Sequence, residues 1–259
     1  MDIASRPSAP ISNPETADAA PPPTAPATIR REDYRPPAWL VPQIALDFAL
    51  GLEETRVTAR LAVERNPASE DSATLRLNGD GLMPESVWVD GAQVNTWRMD
   101  GLDLLLELPD ERHNVEIVTR INPAANTQLM GLYASNGMLC TQCEAEGFRR
   151  ITFFPDRPDV LSVYTVHMSG PKALFPVLLS NGNCTARGEN ADGTHWAEWH
   201  DPWPKPSYLF ALVAGDLVAN HDTFITMSGR TVDLNIWVRE GDQDRTHHAM
   251  KALKDSMRW

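Results

Sequence analysis

Ile44-Ala45-Leu46-Asp47-Phe48-Ala49-Leu50-Gly51-Leu52-Glu53-Glu54-Thr55-Arg56-Val57-Thr58-Ala59-Arg60-Leu61-Ala62-Val63 decides the fold class. Ile44, Leu46, Phe48 and Leu50 alternate with other residues at a period of two, which sends successive side chains to opposite faces of a strand. Glu53-Glu54 makes a short polar turn. Val57, Ala59, Leu61 and Val63 resume the alternation, and Asn66-Pro67 closes it. The two runs predict a β-hairpin.

Downstream the pattern repeats. Leu75-Arg76-Leu77 is a short strand ending at the turn Asn78-Gly79-Asp80-Gly81. Val87-Trp88-Val89 leads into Asp90-Gly91, a dipeptide favoured in tight hairpins, with Val94 to Trp97 as the expected returning strand. Leu102 to Leu108 and Val115 to Ile121 follow. Many short strands at 8–12-residue spacing predict a mostly β chain, a sandwich or open barrel. The stretch from Asn122 to Gly137 reads as a loop. Further strands are expected at Ser162–Met168, Val177–Ser180 and His195–His200, with turns at Asn181-Gly182-Asn183 and Asp192-Gly193. Asp201-Pro202-Trp203-Pro204-Lys205-Pro206 is expected to lie outside regular strand, because Pro cannot donate to a ladder. Leu209–Ala214 reads as a strand buried on both faces.

After Asp216 the texture shifts. Phe224–Met227 and Val232–Val238 read as a hairpin turning at Ser228-Gly229-Arg230. Asp244 is expected to cap a helix whose apolar positions are Met250, Leu253 and Met257. The sequence stops at Trp259 within that pattern, which predicts a fragment whose last helix packs on something beyond it. Residues 1–30, rich in Pro, Ala and small polar residues, are expected to form a disordered tail.

The chain has 259 residues, 23 Lys and Arg against 35 Asp and Glu, and a formal charge of −12. That balance argues against nucleic acid, whose binding rests on basic side chains at phosphates. No apolar run approaches a membrane span. Three Cys, an odd number, speak against a disulfide framework and for a reducing, cytoplasmic setting.

The chemistry concentrates in Cys140-Thr141-Gln142-Cys143-Glu144-Ala145-Glu146-Gly147-Phe148-Arg149-Arg150, which runs on to Asp156-Arg157-Pro158-Asp159-Val160. Cys140 and Cys143 have redox or zinc half-knuckle spacing, but no second ligand pair suits them and the context is not βαβ. His247-His248 is not a metal pair, since adjacent residues on a helix point about 100° apart. His195 and His200 read as sheet residues. If residues 142–146 are extended, Gln142 and Glu144 share a face, and an amide oxygen and a carboxylate there can accept hydrogen bonds from a primary ammonium. Glu146 would sit one step further on that face, serving the same role or holding Arg149. On residue chemistry alone, a solvated acidic loop is the stronger reading.

Several segments resemble the bacterial aminopeptidase N family of zinc metallopeptidases. They are Asn122-Pro123-Ala124-Ala125-Asn126-Thr127, Gly131-Leu132-Tyr133, Cys140 through Arg149, Asp156 through Val160, Leu179 through Asn183, Asp201-Pro202, Lys205-Pro206 and Tyr208 through Asp216. The resemblance runs from about Tyr34 to Trp259. It implies a saddle-shaped, antiparallel β-sheet or sandwich N-terminal domain over 31–216, and over 217–259 the opening β-hairpin and helix of a thermolysin-like catalytic domain. It implies that Glu144 binds the free α-amino group of peptide substrates and that Gln142 lines the pocket beside it. It implies zinc in the full-length enzyme, but the family's His-Glu-x-x-His and Gly-Ala-Met-Glu-Asn motifs do not occur in this sequence. The chain alone is therefore expected to bind no catalytic zinc and to be inactive, its C-terminal catalytic domains missing. Two other readings stay open: a stand-alone β-domain that binds peptides or proteins, and a redox or zinc module on Cys140 and Cys143.

Overall fold

The computed structural model describes residues 30–70, 74–109 and 111–259. All but the last residue of the expected disordered tail lie outside them. Residues 36–259 form one unit, and the described part of the preceding unit is a single 3-10 turn at Arg31–Asp33.

In chain order the strands are β1 (Trp39–Ala49), β2 (Thr55–Arg65), β3 (Thr74–Leu77), β4 (Pro84–Val89), β5 (Ala92–Gln93), β6 (Arg98–Asp100), β7 (Asp103–Glu107), β8 (Arg112–Ile121) and β9 (Gly131–Ser135). There follow β10 (Met138–Gln142), β11 (Leu161–Pro171), β12 (Val177–Ser180), β13 (Asn183–Glu189), β14 (Thr194–Pro206), β15 (Leu212–Gly215), β16 (Val218–Ile225) and β17 (Thr231–Val238), and then one helix, α1 (His247–Arg258). They assemble into an eight-stranded sheet in the order β13-β14-β11-β1-β2-β8-β4-β5, a four-stranded sheet β12-β15-β10-β9, a three-stranded sheet β3-β7-β6 and the hairpin β16-β17.

The opening hairpin forms as its alternation predicts: Ile44, Leu46, Phe48, Val57, Ala59, Leu61 and Val63 are all buried. Asp90 and Gly91 take positive φ of 51° and 80°, the primed turn geometry whose twist suits two antiparallel strands, here β4 and β5. Ladders are antiparallel with one exception among the described strands: β1 pairs with β11 in parallel, from Gln43 with Val163 to Ala49 with Ser169. One hydrophobic cluster joins the large sheets. It takes Phe48 and Tyr164 from the eight-stranded sheet, Leu139 and Leu212 from the four-stranded one, and Leu75 and Leu104 from the three-stranded one. Each such large side chain removed from water contributes about 1.5–3 kcal/mol.

Five expectations are corrected. The strand returning from Asp90-Gly91 ends at Gln93, so Val94–Trp97 is irregular. Within the presumed loop before Gly137, β9 pairs residue by residue with β10. The Pro run is strand after all: β14 continues to Pro206, but its register to β11 slips between Asp201 and Lys205, and Pro202, Trp203 and Pro204 bulge out of the ladder. On its other side β14 pairs with β13 only as far as His200, so the prolines withhold no bond from β13. The apolar run 209–214 is broken. Ser207–Leu209 is a 3-10 turn and β15 begins at Leu212, since the Asn181 side chain bonds the backbone at Leu209 and Ala211. Asp244 does not cap α1. It lies in a 3-10 turn, Gln243–Thr246, that leads into the helix with no side-chain cap.

Met250 and Leu234 are buried between α1 and the β16-β17 hairpin but lie outside the main cluster. Lys254 pairs with Asp222, and Arg258 lies over the ring of Phe224 at 5.9 Å.

Candidate functional site

The site segment leaves the four-stranded sheet at the end of β10. Asn136-Gly137, both at positive φ, turns β9 into β10, and β10 also pairs with β15 through Leu139 and Cys140. The strand stops at Gln142, so the extended geometry that would put Gln142 and Glu144 on one face does not continue. Instead residues 143–147 make a turn closed by Gly147 N–H donating to the Cys143 carbonyl at 2.8 Å. A Cβ at Gly147 would lie 2.3 Å from the Gln142 carbonyl oxygen and 3.0 Å from the Cys143 Cα. Only glycine lets the turn fold this tightly onto the strand. Gln142 and Glu144 still meet, through the Gln142 Nε2 donating to the Glu144 backbone carbonyl at 3.2 Å.

Phe148 anchors the turn. Its side chain is fully buried and meets Phe154, Tyr164 and Phe210 edge-to-face at 5.2, 6.1 and 5.2 Å. Such arrangements add about 0.5–1.5 kcal/mol per pair beyond burial.

Arg149 and Asp156 fix the next step. The Asp156 carboxylate is buried and accepts from Arg149 N at 3.1 Å, from Arg149 Nε at 3.0 Å and from the Ser207 hydroxyl. An Arg149 terminal nitrogen donates to the Asp156 carbonyl at 2.9 Å and meets Glu146 Oε1 at 3.3 Å. Asp156 N–H donates to Asn78 Oδ1, and Asn78 bridges its own backbone to Phe154. Glu146 therefore holds Arg149, one of the two roles open to it in the sequence. Asn78 and Ser207 carry no local signal as site supports, because they lie 78 and 51 residues from Asp156.

Charges along this segment pair off, with one exception. Glu146 and Asp156 share Arg149, Arg150 meets Asp80 at 2.5 Å, and Arg157 meets Asp159 at 2.7 Å. Glu144, exposed at the tip of the turn, has no ion-pair partner among the described residues.

Beneath the turn lie titratable groups whose charged forms burial disfavours. The Cys143 thiol is pushed far above its ordinary value by burial and then by the nearby Asp156. Burial likewise pushes the Cys140 thiol up. The Tyr164 hydroxyl is raised for the same reason, with Asp156 and Cys143 adding to it. Lys205 is lowered by burial, against the pull of Asp201 at 3.0 Å, and its ammonium lies 3.8 Å from the centre of the Tyr164 ring. A cleft of 520 Å³ lies elsewhere, between the β16-β17 hairpin and α1, lined by Asn220, Asp222, His247 and Met250 among others.

A multi-sheet β domain that clamps one short acidic turn to its core, leaving a single carboxylate of that turn unpaired, is the class these features define. The chain belongs to the Peptidase M1 N-terminal domain family, which it matches over residues 46–209. It is 48% identical over 229 residues to aminopeptidase N of Escherichia coli, a match covering 88% of this chain and 26% of that protein. The crystal structure of Legionella pneumophila aminopeptidase A in complex with aspartic acid superposes with a TM-score of 0.83 at 31% identity, over 88% of this chain and 27% of that one. An M1 zinc metallopeptidase from Deinococcus radiodurans shares the fold, with a TM-score of 0.66 at 17% identity over 82% of this chain and 52% of that one. The chain thus spans about a quarter of the length of its aminopeptidase N relatives.

The donor set of the described residues does not fit zinc. Among the described residues no three His, Cys, Asp or Glu side chains come together as ligands, and a thiol must ionise to bind a metal, which burial opposes at Cys140 and Cys143. No helix among them is long and apolar enough to cross a membrane.

Proposed function

We propose that this chain is the N-terminal part of a zinc-dependent aminopeptidase acting on peptide N-termini, and that its role is to receive the substrate's α-ammonium at Glu144. One observation carries this reading: Glu144 is the unpaired carboxylate in a segment whose other charges are neutralised locally. An ammonium bound there forms a charge-assisted hydrogen bond that strengthens as water is excluded. An N-terminally blocked peptide, lacking the charge, would be rejected. Gln142, bonded to the Glu144 backbone, lines the pocket beside it and steadies the turn.

Zinc and the hydrolytic groups would come from residues beyond these 259. The domain boundary is placed near Asp216, supported by β16 and β17 pairing only with each other in the sheet order and by Leu234 and Met250 lying outside the main core. Residues 217–259 would then open the catalytic domain. Three cysteines without disulfides agree with a cytoplasmic setting.

The test is Glu144→Gln in the active peptidase that carries this domain. KM for a free-amine aminoacyl substrate should rise strongly, with kcat/KM depressed by about 2–5 kcal/mol if the ammonium pair is desolvated. An unchanged KM refutes the assignment. The 259-residue chain assayed alone should be zinc-free and inert, and turnover with bound zinc would overturn the division of labour.

A further inference from the structure

Two carboxylates stand two residues apart on a turn five residues long, and either could draw a substrate ammonium to its own position. Glu146 is exposed, as Glu144 is, and would compete for the same cation if it were free. It is not free, because Arg149 holds it at 3.3 Å. An ordinary exposed ion pair is worth little, since two long side chains must be ordered to make it. Here one partner is ordered beforehand. Arg149 is fixed by Asp156 through its Nε at 3.0 Å, through a terminal nitrogen to the Asp156 carbonyl at 2.9 Å and through its own backbone N–H at 3.1 Å. Asp156 is in turn held by Ser207 and Asn78. Glu146 therefore pairs with a guanidinium whose position the core has already set.

We infer that Arg149 is the positioning residue of this site: locked by Asp156, it pairs off Glu146 so that the turn offers an incoming ammonium one carboxylate, Glu144. The inference rests on the amine-binding reading above. The planar guanidinium is what makes it work. Its several N–H groups serve Asp156 and Glu146 together, whereas a lysine ammonium at this position can satisfy the buried Asp156 but cannot reach both. With Glu146 released, substrate would bind there as well, displaced from the reacting geometry. Binding of that unproductive kind lowers kcat and KM by the same factor and leaves kcat/KM in place, a signature that simple loosening of the loop does not give.

The experiment compares Arg149→Lys, Glu146→Gln, their combination and Glu144→Gln in the active peptidase that carries this domain, with an alanyl amide substrate. Arg149→Lys should lower kcat and KM together by about threefold or more, and adding Glu146→Gln should restore both. Glu146→Gln alone should stay within about twofold of the parent. If Arg149→Lys lowers kcat/KM and Glu146→Gln does not rescue it, Arg149 is only a structural support and the inference falls. If Glu144→Gln raises KM while Arg149→Lys tracks the parent, the inference falls and the amine-binding reading stands. If Glu144→Gln leaves KM unchanged, both fall. Should Arg149→Lys fail to fold, Glu146→Gln decides: a rise in KM matching that of Glu144→Gln makes Glu146 an anchor and overturns the inference, and parent kinetics uphold it.

Discussion

Tyr164→Phe should stabilise the domain, and by more as the pH rises. Tyr164 sits on β11 with its ring stacked at 6.0 Å on Phe210 and beneath the Lys205 ammonium, and its buried hydroxyl has no hydrogen-bond partner among the described residues. A buried polar group left unpaired costs about 1–3 kcal/mol. Removing the oxygen leaves a void on the order of 10 Å³, which costs only about 0.2 kcal/mol at the usual 24 cal/mol per Å³. The ring, its aromatic contacts and the cation above it all remain. The net gain at pH 7 should be about 1 kcal/mol. Burial raises the phenol's pKa above its ordinary value of 10.0, so above pH 10 the unfolded chain loses a proton that the folded chain keeps. The folded state then binds more protons than the unfolded one, and stability falls as pH rises. The loss attributable to this group approaches about 1.4 kcal/mol per pH unit, and Phe escapes it. Urea denaturation of parent and variant at pH 7 and at pH 11 reads both effects. A loss of more than about 1 kcal/mol at pH 7 would show that the hydroxyl is hydrogen-bonded after all. Parallel curves at the two pH values would show that it is not held neutral by burial.

Phe148→Ala should cost about 3–5 kcal/mol by the same denaturation assay, because a fully buried ring with three aromatic neighbours leaves a cavity that sheets on several sides cannot collapse. Gly147→Ala should cost about 1–3 kcal/mol, because its Cβ meets backbone rather than a movable side chain, and it should raise KM in the active peptidase by shifting the Glu144 turn. Thiol labelling at pH 8 should modify exposed Cys184 first and half-buried Cys140 slowly, reaching buried Cys143 only on unfolding; rapid reaction at Cys143 would reopen the redox reading.

What the sequence makes legible is whatever alternates. Strands with one buried face, such as β1 and β2, announce themselves through their apolar period. The edge strand β13, Asn183–Glu189, escapes a reading by period because no residue along it is fully buried, so it carries no apolar signal. The Pro-rich end of β14 defeats the rule against Pro in a ladder because that rule assumes a neighbour on both sides, and here one neighbour has ended and the other has slipped in register. In the candidate site the Glu146–Arg149 pair is legible, but the turn geometry is not. The strand ends two residues too early for a shared face, where Gly147 folds the chain back. The clamp on Asp156 is illegible for a different reason. Its parts come from Asn78, Arg149 and Ser207, and nothing local in any of those stretches signals the others.

The parallel pairing of β1 with β11 sets an order of assembly. Its partners lie about 120 residues apart, whereas β1, β2, β8 and β4 join through nearer neighbours. During synthesis from the N-terminus, that antiparallel half is finished by Ile121, while β1 waits for Leu161–Pro171 to emerge. Over that interval the strand destined for the middle of an eight-stranded sheet is its open edge, an unpaired row of backbone donors and acceptors on an apolar strand. The nascent chain is then most exposed to mispairing with a second copy of itself. The arrival of β11 closes that edge and brings in Tyr164, which joins Phe148 and Phe210 in the aromatic cluster beneath the Glu144 turn.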